Sequence, residues 1–364
     1  PNLLRLTDAD TGEEFDVLFI LPQGVGPIGD QFRNIFACGY MVGHLDGTRF
    51  APFSEFTELD SGFEFYAPQV FTVGPGEPEQ PALLVGWLGN ASEDNQPSLA
   101  DYGWVHALSI PRDLSLRSGR LHQLPRRIAG EPTVLSIAGR SLDGAAFAIG
   151  ELDDVRSFIL DLEIDQTQDW TLQLGKSGGA QVILAFERGT LTVDRSTTRY
   201  PHGDSRRVRI PDLDRLVVTV VHDRSVTEVF VSDGHTAFSL RSYLDPDGFQ
   251  VAITGRVGRV AQTVLDAVGG PDNISAAAHC ATRLRLVLND QEKVDQATLD
   301  NDMDIKGTFS AGGMYQIIVG PGDVDHVYDK LIALGVKEAS KAEAAQEAAQ
   351  QGNLFTRFIK MVAD

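Results

Sequence analysis

A chain of 364 residues with 51 acidic against 31 basic side chains carries a formal charge of −20. That balance argues against nucleic acid and anionic lipid as partners, because both are held through cationic contacts to phosphate. An apolar fraction of 42% argues against wholesale disorder, and the length predicts two or three domains.

Residues 1–250 read as nearly all β. Short apolar runs such as "FDVLFILP", "FEFYAPQVF", "ALLVGWLG" and "RLVVTVVHD" alternate with Gly, Pro, Asp and Asn, the rhythm of a propeller or sandwich. "LHQLPRRIAGEP", near 121–132, lacks periodicity and predicts a boundary between two β modules, 1–122 and 123–250. "DGHTAF", between "TEVFVS" and "SLRSY", predicts a hairpin, since Asp-Gly suits a tight turn.

Near residue 255 the pattern changes. In "GRVAQTVLDAVGG", Val257, Val260, Val264 and Val268 recur near helical spacing and Gly-Gly gives a stop. Two strand-like segments flank Cys280, "VDQATLDND" reads as a short helix, and "IKGTFSAGGMYQIIVG" as a hairpin with glycines at its turn. "DVDHVYDKLIALG" is an amphipathic helix ending at Gly335. Residues 256–335 are thus a small α+β module with an antiparallel sheet. The Ala/Glu/Gln/Lys run at 337–351 suits a solvated helical linker within 336–364, and "NLFTRFIKMVAD" turns apolar again.

Cys38 and Cys280 lie far apart with no metal spacing, which speaks for a reducing, cytosolic compartment and against a disulfide framework. No signal peptide and no apolar run of membrane-spanning length occurs. The chain opens on Pro1 rather than Met, so it is expected to be part of a longer polypeptide.

Four stretches of the β region resemble the invertase, levanase and sucrose-6-phosphate hydrolase family of glycoside hydrolases. They are "ELDSGFEFYAPQVF" (58–71), "LLVGWLGN" (83–90), "SIPRDLSL" (109–116) and "VVHDRSVTEVFVSDGHTAFSLRSY" (220–243). The resemblance implies the last blades of a five-bladed β-propeller followed by a β-sandwich, with Asp60, Tyr66 and Trp87 on the wall of a sugar cleft. Tyr and Trp suit sugar faces, although Trp87 reads equally as strand core. Glu55, Glu58 and Glu64 read mostly as solvated loop or strand-end charges, and Asp223, Arg224, Ser225 and Glu228 as structural. A retaining glycosidase needs two carboxyl groups about 5 Å apart. The family places its acids in N-D-P-N-G, R-D-P and E-C-P strings, and none of these occurs here. The expectation is that this stretch alone does not hydrolyse fructosides. The alternatives are a working β-fructosidase or a non-catalytic fructoside-binding module.

Cys280 is followed by Thr282, Arg283 and Arg285 in "HCATRLRLVL". On a strand, Leu284, Leu286 and Leu288 take one face while Arg283 and Arg285 take the other, beside the thiol. Positive charge and free N–H groups lower a thiol pKa, and the same groups suit a phosphoryl group. A small buried hydrophobe is the plain alternative for Cys280. A zinc site would want more ligands than His279 and Cys280, and a redox thiol would want a resolving cysteine nearby. His279 points away from Cys280 on a strand, so a packed or solvated role fits it better than a catalytic base.

"NISAAAHCATRLRLVLND", with the following "KVDQATLDND", "IKGTF" and "YQIIVGPGDV", resembles the EIIB domain of glucose/sucrose-type sugar phosphotransferase transporters. The resemblance implies that Cys280 accepts a phosphoryl group from a histidine of an EIIA domain. It passes the group to a sugar, sucrose or another β-fructoside, held in a membrane-embedded EIIC domain. Thr282, Arg283 and Arg285 would bind the phosphate, and no cofactor is called for. The site would then work at the cytoplasmic face of a bacterial membrane, with the last residues leading toward EIIC.

Overall fold

Short strands with every second side chain buried build most of the molecule, and the computed structural model describes residues 1–71, 82–89, 96–127, 147–151, 157–165, 169–211, 215–245, 249–302, 304–321 and 323–339, with a few single positions besides. The chain forms two compact units, residues 1–136 with 148–252, and 137–147 with 253–364.

The first unit begins with β1 (Asn2–Thr7), β2 (Glu14–Ile20), β3 (Gly39–Asp46) and β4 (Arg49–Pro52), paired in that order, with β5 (Thr57–Glu58) beside β3. A second sheet holds β6 (Phe65–Phe71), β7 (Ala82–Leu88), β8 (Ala107–Leu108), β9 (Arg112–Arg117) and β10 (Arg120–Pro125), in the order β10-β9-β7-β6 with β8 on β7. The short α1 (Pro97–Tyr102) lies between β7 and β8 in the chain. Leu4, Val17, Phe19 and Val42 from the first sheet share a core with Leu84, Leu88, Leu114 and Leu116 from the second. Such alternation is what a sheet buried on one face requires.

Two further sheets complete the unit. One runs β11 (Phe147–Glu151), β20 (Gln250–Gly255), β13 (Trp170–Gly175), β14 (Gln181–Glu187), β15 (Thr190–Asp194) and β16 (Ser205–Arg209). The other runs β12 (Ser157–Asp165), β17 (Arg215–Asp223), β18 (Val226–Val231) and β19 (Thr236–Arg241). The module junction read at 122/123 falls inside β10, and residues 128–132 of that boundary segment lie outside the described residues. The β10 backbone is instead clamped to the β18–β19 turn: the Gln123 N–H donates to the Gly234 carbonyl at 2.9 Å. Gly234 has φ +83°, and a Cβ there would sit 2.2 Å from the Gln123 oxygen, so only glycine fits. The hairpin expected at "DGHTAF" is present, but with four connecting residues and left-handed backbone at Ser232, Asp233 and Gly234 rather than a two-residue Asp-Gly turn.

The second unit follows the sequence pattern closely. Its helices are α2 (Arg256–Ala267), α3 (Gln296–Asn301) and α4 (Asp323–Ala333). Its sheet has the order β21 (Ile274–Cys280), β22 (Arg283–Leu288), β24 (Met314–Ile318), β23 (Gly307–Ala311), antiparallel throughout. Gly312 and Gly313, at φ +62° and +76°, supply the two-residue turn that the β23–β24 twist favours. Leu284, Leu286, Tyr315 and Ile317 pack on Val260, Val264, Val327 and Leu331 of the helices. Past α4, the Ala339 N–H donates to the Ala277 carbonyl, so residues 337–339 run along the free edge of β21. The helical linker expected over 337–351 does not begin there, because residues 337–339 pair with β21 instead; the rest of it and the apolar segment to 364 lie almost wholly outside the described residues.

Candidate functional site

Register places the expected groups of the second unit together. Cys280 is opposite Arg283 and Ala278 is opposite Arg285 across β21–β22, so thiol and guanidiniums leave one face of the sheet. Leu284 and Leu286 face the helices, as the Arg-Leu-Arg-Leu alternation predicts. The connection Ala281–Thr282 has no residue at positive φ, so it is not the primed turn common in hairpins. The Thr282 carbonyl accepts the N–H groups of Val319 and Gly320 at 3.2 and 3.1 Å, which pins the connection to the strand end of β24.

The thiol of Cys280 is partly exposed. Burial raises its pKa, but the Thr282 N–H, the Arg283 guanidinium, the Arg285 charge and the Arg283 N–H together outweigh burial and hold it below the ordinary cysteine range. Cys38, by contrast, is buried in the first unit, and burial pushes its thiol far up. The Arg283 guanidinium carbon lies 5.6 Å from the ring centre of Phe309 on β23, a cation–π contact that orients it.

Gln316 joins this face as well. It is the register partner of Arg285 and only 6% exposed. Its Oε1 and the Nε of Arg285 are both buried and without a hydrogen-bond partner among the described residues. Buried polar atoms are nearly always paired, so the unpaired Arg285 N–H beside the thiol marks a place for an oxygen acceptor, and the unpaired Gln316 oxygen a place for a donor. Part of the signal was in the sequence, where a glutamine interrupts "MYQIIV", but its place opposite Arg285 is set by the β22–β24 register.

His279 takes the opposite face. Its ring lies 4.4 Å from that of Tyr328 on α4, and Nδ1 is 3.0 Å from Asp325. Tyr328 also donates to the Ala277 carbonyl at 3.2 Å. His279 is therefore packed against α4, on the side of the sheet away from the thiol.

In the first unit Tyr66 and Trp87 are direct cross-strand partners, with ring centres 6.4 Å apart. A register shift after Tyr66, with Ala67 at φ +47°, bends β6 at this point. Phe36 and His106 extend the pair into an aromatic row, at 5.0 Å from Tyr66 and 4.8 Å from Trp87 respectively. Asp60 is elsewhere. It is 3% exposed, and its carboxylate takes Arg112 Nη2 at 3.0 Å, the Ser239 hydroxyl at 2.7 Å, and the N–H groups of Gly62 and Ser239 at 2.9 Å. Its acceptor capacity is spent inside the protein, which leaves it a structural anchor rather than part of a cleft wall.

Glu64 and Glu58, expected as solvated charges, are instead buried and half-buried, and Glu228 is buried as well. Glu228 shares Arg112, at 2.7 Å, and Glu64 is held between Arg195 and Arg241. Glu58 accepts the Phe32 N–H at 2.8 Å, and burial pushes its carboxyl up to about 7.

Three stretches of the chain match family models. Residues 1–125 match the Glycosyl hydrolases family 32 N-terminal domain, 138–264 the Glycosyl hydrolases family 32 C terminal, and 262–295 the phosphotransferase system, EIIB. A PTS system sucrose-specific EIIBCA component from Pediococcus pentosaceus is 54% identical over 108 residues, 29% of this chain and 16% of that protein. A sucrose-6-phosphate hydrolase from Staphylococcus xylosus is 29% identical over 262 residues, 67% of this chain and 50% of the relative. The fold of the β region resembles an exo-inulinase from Aspergillus awamori, with TM-score 0.59 and 20% identity, over 69% of this chain and 53% of that one. The chain thus spans half the length of the hydrolase and about a sixth of the transporter component.

Proposed function

We propose that this chain, which carries the N- and C-terminal domains of glycosyl hydrolases family 32 followed by a phosphotransferase-system EIIB region, acts through Cys280 as a phosphoryl carrier in sugar uptake. The observation that carries this reading is the single sheet face on which Cys280, Arg283, Arg285 and Gln316 meet. The thiolate sulfur attacks phosphorus on a phosphohistidine of an EIIA domain; the P–N bond breaks and a P–S bond forms. A sugar hydroxyl then attacks the same phosphorus and gives up its proton to a base that the EIIC domain would supply, while the P–S bond breaks and the thiolate returns. Arg283, Arg285 and the N–H groups of Thr282 and Arg283 neutralise the equatorial oxygens, so positioning and electrostatics supply most of the rate. The relatives point to sucrose or another β-fructoside, held by a membrane EIIC domain, with the EIIB region working at its cytoplasmic face. Among the described residues no helix is long and apolar enough to cross a membrane.

The test is phosphorylation of the chain by a phosphorylated EIIA domain, read by intact mass and by mapping the phosphate. Phosphate on Cys280 that disappears in Cys280→Ser supports the reading; wild-type labelling of that variant ends it.

A second reading concerns the family 32 region, and the Tyr66–Trp87 row favours it: a module that meets the fructoside. Its buried acids, Asp60, Glu64 and Glu228, are committed to arginines, so we read the module as binding rather than hydrolysing. Turnover of sucrose 6-phosphate by this polypeptide would reverse that.

A further inference from the structure

Two guanidinium groups of the first unit converge on one neutral oxygen. Arg33, exposed in the connection between β2 and β3, donates from Nη1 to the Ser205 carbonyl at 3.3 Å, and Arg206 on β16 donates from its own Nη1 to the same oxygen at 3.2 Å. Among the described residues neither has a carboxylate within ion-pair distance. Arg206 is buried, and its other partners are also uncharged: the carbonyls of Gly62 and Gly203 at 3.2 and 2.8 Å, and Asn34 Oδ1 at 3.2 Å. Its guanidinium stacks on the Phe63 ring at 4.5 Å, while Arg195 takes the same ring at 4.2 Å.

The nearby acids do not balance this charge. Glu64 is taken by Arg195 and Arg241, and Glu58 is half neutral near pH 7. Consistent with a cation short of counter-charge, burial and then the Arg33 and Arg195 charges push Arg206 down to about 10. In a chain of net charge −20 a local positive excess is unusual. It also adjoins a pocket: Asn34 and Phe63, which Arg206 touches, line a shallow hollow together with Phe36 and Tyr66.

We propose that Arg33, with Arg206 supplying charge behind it, forms an anion subsite beside the Tyr66 hollow that takes a phosphate monoester on a sugar. Arg33 uses one N–H on Ser205 and is otherwise exposed, and a guanidinium fork is the group that grips phosphate oxygens. The assignment rests on the reading of the family 32 region as a fructoside-binding module, and it does not involve Cys280.

Calorimetric titration of the full chain with sucrose 6-phosphate, sucrose and inorganic phosphate tests it, in wild type, Arg33→Met and Arg283→Met. The expected result is that sucrose 6-phosphate binds wild type and Arg283→Met equally, and that Arg33→Met weakens it about tenfold or more, the loss of a charged hydrogen bond. Sucrose affinity should be the same in wild type and Arg33→Met. Wild-type affinity of Arg33→Met for sucrose 6-phosphate, or loss of binding in Arg283→Met alone, overturns the subsite. Inorganic phosphate that binds through Arg33, with no sucrose binding, keeps the subsite and removes the fructoside reading. Arg33 is on the surface, so its variant should fold; Arg206→Lys, which keeps the charge but not the fork, should show a smaller loss of the same kind.

Discussion

Arginine with its polar partners does opposite things in the two units. In the first, Arg112 is fully buried and makes five hydrogen bonds, to Glu228, Asp60, Gln123 and Ser239. In the second, Arg285 keeps an unpaired Nε beside the unpaired Oε1 of Gln316, and a reactive thiol sits on the same face. A saturated network holds sheets in place and has nothing left to offer a ligand. An unsaturated one costs stability in the empty protein and regains it when the missing atoms arrive.

The largest effects should break one side of this contrast without touching the other. Cys280→Ser should remove phosphoryl acceptance entirely and leave the melt of the chain unchanged, as followed by labelling and calorimetry. Arg112→Met strands Asp60 and Glu228 as buried charges, which costs about 3–5 kcal/mol. Denaturant unfolding should show that loss in the first unit alone, with Cys280 phosphorylation retained. Wild-type stability of Arg112→Met would mean the network is not the anchor it looks like.

Next in size are Arg283 and Arg285. Replacing either by Met should lower the transfer rate about 100-fold, the scale found when one preorganised donor is removed from a charge-stabilising site. The same variants should raise the Cys280 pKa toward the ordinary range, so alkylation of the thiol near pH 7 should slow. An unchanged alkylation profile would separate the arginines from the thiol.

Smaller effects follow from pH. His222 is packed between Phe158 and Phe249, hydrogen-bonded to Thr227 and beside Asp223, and burial pushes it down to about 4. The folded state therefore favours the neutral ring. Its contribution is complete above about 6.5, the unfolded value, and is lost as pH falls toward 4 because the unfolded chain takes up the proton first. That is worth up to about 3 kcal/mol at the low end. Glu58 has the opposite sign: raised to about 7, it favours folding fully below 4.5, and the benefit is lost as pH rises through 7. Glu58→Gln should therefore be more stable than wild type at pH 8 and nearly equal to it at pH 4, while His222→Asn should flatten the acid limb instead. Parallel pH–stability curves for both variants would refute these assignments.

How far the sequence carries the structure also divides along the two units. The second unit was legible because its determinants are local: Arg-Leu-Arg-Leu sets the face, Gly312–Gly313 sets a turn, and the valine spacing sets α2. The first unit was legible as β, but the role of Asp60 was not. Its partners Arg112 and Ser239 lie 52 and 179 residues away, and no local pattern announces such pairings. A motif position was therefore read as cleft when tertiary packing had buried it. Tyr66 and Trp87 are cross-strand partners, a pairing that neither the motif nor the local pattern gives.

Gln316 gives the smallest effect and the cleanest separation of the two roles. A buried carbonyl oxygen without a partner costs about 1–3 kcal/mol in the empty protein. Gln316→Leu removes that oxygen while keeping the volume, and the neighbours on its face, Met314 and Ile318, are apolar. Its melting temperature should equal or exceed that of wild type. If the carboxamide helps seat the phosphoryl group beside Arg285, the transfer rate should nevertheless fall about tenfold, the loss of one modest hydrogen bond in the transition state. Arg112→Met should show the reverse pattern, lost stability with retained transfer. Should Gln316→Leu lose stability and keep its rate, Gln316 belongs with the saturated network, and the phosphoryl site consists of the thiol, the two arginines and the turn amides alone.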